Sequence, residues 1–269
     1  MLILHDPQCA DYGSSMRPEQ PARVTKSVAH LRAAHPDWEW RVPTPAPDLA
    51  LLLAHAPEHL ERLELPRNFD DDTPFFPDIA VMDHQPVFSL MRPPGHHATS
   101  EQAMGFCYLN NVAIAARWVR EKLLAPRVAV WDFDAHHGNG TEAILRATAG
   151  VLFTSVHQYP GYPGTGVRSM DNCRNWPIAP RTPRAEHMAA LRESLDAVLA
   201  FEPTVILISA GFDAYVRDPI TAMSLEIEDF ATLGRWLRET RLPAAAVLEG
   251  GYSEDLPLLI DAFVSAWKK

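Results

Sequence analysis

From Arg127 onward the chain repeats one pattern, and that pattern limits the folds open to it. RVAVWDFDA (Arg127 to Ala135) begins as an apolar, β-branched run, as expected of a strand covered on both faces. TEAILRATA then reads as a short helix and VLFTSV (Val151 to Val156) as a second strand. A helix near Glu186 to Phe201, a strand at TVILIS (Thr204 to Ser209) and a helix near Glu226 to Arg241 follow. AAAVLE (Ala244 to Glu249) supplies a last strand before a closing helix around Leu256 to Trp267. Upstream, Leu109 to Leu124 sets Val112, Ala115, Ala116, Val119 and Leu123 at helical spacing, with Asn110 or Asn111 to cap it and Pro126 to stop it. Strands alternating with helices imply βαβ units, so the expected fold is α/β with a mostly parallel sheet flanked by helices. One domain over residues 1–269 is the economical organisation. The linker-like RVPTPAPD (Arg41 to Asp48) is a weak boundary, because helix-like LALLLAHAPEHLERL resumes directly after it.

Composition narrows the function classes. Apolar residues make up 47% of the chain and charged residues 22%, enough for a sizeable core. The net charge of −10 argues against a nucleic-acid surface, which needs clustered Lys and Arg. Such a field favours cationic ligands, or simply keeps the protein in solution. Cys9, Cys107 and Cys173 form neither a disulfide framework nor a CxxC zinc pattern, so a cytoplasmic location is expected. MLILHDPQCADYG lacks a basic, extended apolar leader, and no apolar run reaches the length of a membrane span. Neither a nucleic-acid nor a membrane partner is expected; the oligomeric state is left open.

In open parallel sheets, ligands sit beyond the carboxyl ends of the strands. Polar residues collect at those ends here. The Val128 strand runs into DFDAHHGNG with Asp132, Asp134, His136, His137 and Asn139. The next strand ends in Ser155 and His157, the Val205 strand in Asp213, and the Ala245 strand in EGGY with Tyr252. The Phe88 strand ends in RPPGHHA, where His96 and His97 sit side by side. A catalytic pair, a metal clamp and an ordinary loop are all open for that pair. Asp134 and His136, two apart at a strand end, can point the same way, and with Asp213 they make a three-ligand Zn²⁺ set with room for water and substrate. The plainer alternative is that they satisfy loop amides and cap the next helix. Five strand ends feeding one rim favour the metal.

These motifs resemble the histone deacetylase family, of the arginase–deacetylase fold, and in particular its bacterial histone deacetylase-like amidohydrolases. RPPGHHA (Arg92 to Ala98), GFCYLNN (Gly105 to Asn111), DFDAHHGNG (Asp132 to Gly140), SVHQYPGYPGTG (Ser155 to Gly166), SAGFDA (Ser209 to Ala214) and EGGY (Glu249 to Tyr252) fall in the family's order. RPEQPARV (Arg17 to Val24) is a weaker form of the N-terminal HPExPxR segment. The resemblance implies a zinc-dependent amidohydrolase that deacylates an N-acyl amine. It makes Asp134, His136 and Asp213 the zinc ligands and His97 the base toward water, then the acid toward the leaving amine. It pairs His96 with Asp132, lets Asn139 orient His97, and gives Tyr252 the oxyanion. Gly105, Phe106 and Tyr162 match the acyl-lysine tunnel, with Ile220 at its rim. A structural potassium ion is also implied, at Asp132, Asp134, His136, Ser155 and Val156, largely through backbone carbonyls.

Three features qualify the resemblance. Between DDDTPFFPD (Asp70 to Asp78) and the Phe88 strand only IAVMDHQPV intervenes, where the family has a helix and a longer connection. Asp70, Asp71 and Asp72 are alternatives for the family's substrate-binding aspartate. Gly138 stands where the related two-manganese ureohydrolases carry a bridging carboxylate, which disfavours a binuclear site. Asp218-Pro219 is followed by apolar Ile220, where polyamine-selective relatives can carry an acid, so an acyl-lysine-type substrate is expected first and an acetylpolyamine or other small acylamide second. A non-catalytic ligand-binding member of the fold would have lost a zinc ligand, the histidine pair or the tyrosine, and all are kept.

Overall fold

The structure is a computed structural model that describes residues 1–65, 68–70, 73 and 88–268. The segment IAVMDHQPV with its Pro86, and the candidates Asp71 and Asp72, therefore lie outside the described residues. Among the described residues eight strands form one sheet: β1 (Leu2–Leu4), β2 (Glu39–Arg41), β3 (Phe88–Ser89), β4 (Val128–Asp132), β5 (Val151–Gln158), β6 (Cys173–Ile178), β7 (Val205–Ala210) and β8 (Ala244–Leu248). Their order is β2-β1-β3-β8-β7-β4-β5-β6, and every neighbouring pair is parallel. The helices are α1 (Ala22–Ala34), α2 (Asp48–Leu51), α3 (Pro57–Leu63), α4 (Asn111–Glu121), α5 (Asn139–Leu145), α6 (Arg184–Ala200), α7 (Ile227–Thr240) and α8 (Leu256–Lys268). Among the described residues no helix is long and apolar enough to cross a membrane.

Alternation along the central strands splits the core in two, because successive side chains of a strand face opposite sides. Ala129 and Trp131 of β4, with Ile206 and Ile208 of β7, join the cluster under α6, α7 and α8, where Phe133, Phe212, Phe230 and Phe263 meet. Val128 and Val130 of β4, with Leu207 of β7, join the cluster under α2, α4 and α5. Both faces are covered, so all five residues of β4 are buried and the strand reads as a continuous apolar run. The indole N–H that β4 puts inside the larger cluster is satisfied: Trp131 Nε1 donates to Ser194 Oγ at 2.9 Å.

The structure trims some expected elements and adds others. α4 starts where expected, with the Asn110 side chain accepting from the Ala113 N–H, but it ends at Glu121 and not at Leu124. Leu124 turns into the left-handed region (φ 55°), a helix-terminating conformation that apolar spacing does not report. LALLLAHAPEHLERL is two short helices, α2 and α3, because Pro57 suits a first helical turn and not an interior. β1 is an apolar run of only three residues (Leu2–Leu4), and β2 and β6 have no apolar run to announce them; both are edge strands with exposed residues.

The register sets the site. Asp132 pairs with Ser155 of β5 and with Ser209 of β7, and Ala210 pairs with Leu248 of β8. The carboxyl ends of β8, β7 and β4 therefore finish within a residue of one another, while β5 runs on to Gln158. The loops after β3, β4, β7 and β8 open onto one rim.

Candidate active site

Asp134 and His136 leave β4 two residues apart, and Asp213 arrives from the loop after β7. Among the described residues this is the one group of three His, Cys, Asp or Glu donors whose ligand atoms all lie within 4.8 Å of one another. His136 Nδ1 stands 2.8 Å from Asp213 Oδ2 and 3.2 Å from Asp134 Oδ1. Backbone N–H groups hold the carboxylates: His136 N donates to Asp134 Oδ1 (2.8 Å), Gly250 N to Asp134 Oδ2 (2.7 Å) and Ala135 N to Asp213 Oδ1 (2.8 Å). The two readings of Asp134 are thus compatible, since it takes loop amides and still faces the other donors. Gly250 permits this packing, because a Cβ there would overlap Asp213 and Asp134.

The histidine pair lies against this group. His96 Nδ1 donates to Asp132 Oδ2 at 3.1 Å, and His97 Nδ1 donates to Asn139 Oδ1 at 2.8 Å. The second bond sets the His97 tautomer, leaving Nε2 as the proton acceptor. The two rings are 4.1 Å apart, centroid to centroid, and His97 is 5.9 Å from His136.

Charge in the site follows from burial. Burial opposes a proton on His96, but Asp134, Asp132 and Glu249 outweigh it and push the imidazole up to about 10. His97, equally buried and facing the charges of His96 and His136, is held well below the usual range, so it is neutral. Burial pushes Asp132 up to about 6 against the pull of His96. Asp134 is held down despite its burial, by His96 and His136. Burial opposes charge on His136 too, yet Asp213 and Asp134 hold its proton strongly. Four fully buried carboxylates (Asp132, Asp134, Asp213 and Glu249) thus converge on two cationic imidazoles. A buried donor set with that excess of negative charge suits a divalent cation, and two carboxylates with one imidazole suit zinc.

Aromatic side chains wall the approach. Tyr162 packs edge-on against His97 at 5.0 Å, and Gly105 fits between them: a Cβ there would come 2.5 Å from His97 and 2.9 Å from Tyr162. Phe106 meets Tyr252 at 5.8 Å. Burial, and beyond it Asp213 and Asp134, keep the Tyr252 hydroxyl protonated against the pull of Arg23. Ile220 lies on the same loop as Asp213 and is 37% exposed. Its N–H donates to Asp218 Oδ1, while Asp218 Oδ2 accepts from the Tyr252 N–H at 2.8 Å. Ser155 and Val156 are buried in β5, with Ser155 beside Asp132 in the adjacent strand. Asp70 lies within the described residues and its carboxylate accepts from Thr73 N at 2.6 Å; the Thr73 hydroxyl in turn accepts from Phe106 N at 3.1 Å.

Three groups at the site are not on the sequence-derived set. Arg23 lies 4.7 Å over the Tyr252 ring and donates to the carbonyls of Gly251 (2.7 Å) and Glu249. Asp218 fixes the Tyr252 backbone as described. Glu249 receives the N–H groups of Gly95 and His96. Arg23 lies in the Arg17–Val24 motif, Glu249 in EGGY and Asp218 in the Asp218-Pro219 pair, but a lone Arg, Asp or Glu carries no mark of what it will face. Gly138 also explains the missing second carboxylate of a binuclear site, because a Cβ there would overlap Asp132.

A parallel eight-stranded sheet with the donor trio, the histidine pair and the tyrosine at one rim defines an arginase–deacetylase fold. Solved structures agree. Acetylpolyamine aminohydrolase from Burkholderia pseudomallei superposes with a TM-score of 0.85 at 26% identity, covering 99% of this chain and 98% of that one. The HD domain of HDA15 gives 0.87 at 25% identity, covering 100% and 91%. The histone deacetylase domain model matches residues 77–266, and the chain belongs to the histone deacetylase family. It is 37% identical to a protein of Synechocystis sp. over 93% of this chain and 92% of that protein. It is 33% identical to the histone deacetylase-like amidohydrolase of Pseudomonas aeruginosa over 90% and 73%. The match to the acetylpolyamine amidohydrolase of Mycoplana ramosa, at 37% identity, covers 65% of this chain and only 54% of that enzyme.

Proposed function

We propose that residues 1–269 form one catalytic domain, a zinc-dependent deacetylase that hydrolyses the amide of an N-acyl amine. The observation that carries this is the meeting of the Asp134–His136–Asp213 trio with a neutral, Asn139-held His97 at one rim. Asp134, His136 and Asp213 would hold the zinc, which when bound supplies Lewis-acid polarisation of the acyl carbonyl and a more acidic water. His97, with its Nε2 lone pair available, takes the proton from the attacking water and later delivers it to the leaving amine. His96, kept charged by Asp132, lowers the cost of negative charge growing beside it. Tyr252, protonated at neutral pH, donates to the oxyanion. Phe106 and Tyr162 flank the aliphatic chain of the substrate, with Gly105 leaving room for it and Ile220 at the rim. Potassium is proposed beside the zinc site at Asp132, Asp134, His136, Ser155 and Val156, where buried Asp132 and Ser155 lie side by side.

An acyl-lysine-type side chain is the preferred substrate class, supported by apolar Ile220 where an acid would favour a polyamine. Acetylpolyamine is the second reading, supported by the relatives of that name. Comparing turnover of acetyl-lysine peptides and acetylpolyamines decides between them. Stoichiometric zinc with no amine released from any acylamide would leave the non-catalytic reading standing.

A further inference from the structure

Glu249 is the fully buried carboxylate of the site that has no part in the chemistry set out above. It follows the last residue of β8. Its Oε2 accepts from the N–H of Gly95 at 2.7 Å and of His96 at 3.1 Å, and its Oε1 accepts from the Ser209 hydroxyl at 3.0 Å. One side chain therefore joins the ends of β8 and β7 to the loop after β3. On the other side of that loop, the His96 carbonyl accepts from the N–H groups of Gly140 and Thr141, both at 3.1 Å. Gly140 and Thr141 belong to the first turn of α5, the helix whose Asn139 holds His97. The backbone of His96 is thus gripped from opposite sides, by Glu249 through its N–H and by α5 through its C=O.

The grip has a chemical purpose. The two imidazoles sit on a loop two and three residues beyond Pro94, and a base must stay within hydrogen-bond reach of the proton it takes. Small displacements of such a group reduce rate far more than binding. Buried N–H groups need acceptors, and here a single carboxylate serves two of them. Deleting it orphans the N–H groups of Gly95 and His96 and frees the loop from β8.

We propose that Glu249 is a positioning residue that holds the His96–His97 loop in register with the donor trio, acting through backbone hydrogen bonds and not through its charge. This inference rests on the deacetylase reading for its rate measurements, but its structural half can be tested without activity. Glu249→Gln preserves the shape: the amide oxygen can take both N–H groups and the amide nitrogen can donate to Ser209. Glu249→Ala removes every bond. Expected are a fall in kcat of about 100-fold for Glu249→Ala at similar KM and zinc content, and a fall of no more than about fivefold for Glu249→Gln. In ¹⁵N-histidine spectra the ring signals of His96 and His97 shift or broaden in Glu249→Ala and return to the wild-type positions in Glu249→Gln, while those of His30 and His35 stay in place. Should Glu249→Ala fail to fold, Ser209→Ala, which cuts one bond, is expected to lower kcat by about threefold and to shift the same two signals slightly. A Gln variant as defective as Ala, or undisturbed His96 and His97 signals in Glu249→Ala and Ser209→Ala, would overturn the proposal. A wild-type protein that turns over no acylamide defeats the deacetylase reading alone, and the spectra still decide the role of Glu249.

Discussion

Two clusters in this molecule are built from the same residue types and behave as opposites. Asp134, His136 and Asp213 meet at the strand ends; His30, His35 and Asp261 meet where α1 faces α8. In the second, both imidazoles converge on one carboxylate, His30 at 2.8 Å and His35 at 2.7 Å, and the Ser265 hydroxyl adds a third donor at 2.7 Å. Asp261 is thus saturated by its neighbours and sits between the two rings. Only the first trio brings all its donor atoms within 4.8 Å of one another among the described residues. The carboxylates of the first have no solvent exposure and are aimed by backbone N–H groups, whereas the side chains of the second are 22–31% exposed. Residue type alone does not make a metal centre. Burial with an excess of acceptors is what suits the first trio to a cation, because each unpaired buried charge favours one.

The largest effect expected from this contrast is in metal content. Asp213→Ala lowers bound zinc to a small fraction and turnover by roughly 1,000-fold or more. The double substitution His30→Ala with His35→Ala leaves one zinc per chain and wild-type kcat. Metal analysis beside steady-state rates checks both, and equal zinc loss in the surface double variant would break the comparison. Chelation followed by zinc addition should remove and restore turnover in the wild type.

Next comes Tyr252→Phe, which keeps the ring on Phe106 and Arg23 but removes the proposed oxyanion donor. It is expected to lower kcat by about 100- to 1,000-fold with zinc content and KM little changed. Unaltered kcat would sink the role given to Tyr252.

Histidines whose burial outweighs any nearby carboxylate sharpen the contrast further. Burial holds His187 down to about 4, and burial with the charge of His59 does the same for His55, against an ordinary value of 6.5. The unfolded chain then binds more protons than the folded one between those limits. Their contribution is complete above pH 6.5 and is lost as the pH falls toward 4, about 3 kcal/mol for each. Urea denaturation across that range should show the loss, and His187→Leu should flatten part of it. An equally steep profile in the variant would count against the assignment.

The smallest effect belongs to the surface cluster. Although burial opposes it, hydrogen bonds from His35, Ser265 and His30 hold the Asp261 carboxyl below its ordinary 3.8. Its stabilisation is present above that value and is lost as the pH falls below it. With the pair partly exposed to solvent, Asp261→Asn should cost no more than about 1 kcal/mol at pH 7, measured by urea denaturation. A loss of several kcal/mol would show that the cluster is not the marginal surface tie described.

The catalytic half of the fold was legible because buried parallel strands leave unbroken apolar runs and their polar residues fall just past the ends. Asp134 and His136 were readable from spacing within one strand end, and His96 and His97 from their stiff, proline-rich loop. The edge strands β2 and β6 were not, since half-exposed strands carry no apolar run. The break between α2 and α3 is not marked by apolar spacing either, because the helix-like pattern continues across a turn that the backbone makes before Pro57.

What the sequence by itself determined is the chemistry available at each strand end: carboxylates, imidazoles and a phenol in the order the family uses them. Only the tertiary structure decided which of these groups confront one another. The order β3-β8-β7-β4 carries Glu249 under the His96 loop, Arg23 over Tyr252 and Asp218 to the Tyr252 N–H across separations of 153, 229 and 34 residues. No local pattern encodes such pairings, because they follow from strand order and register, which the whole core sets at once. Residue types that make a weak surface tie between α1 and α8 make, at the buried rim, a trio that could hold a cation.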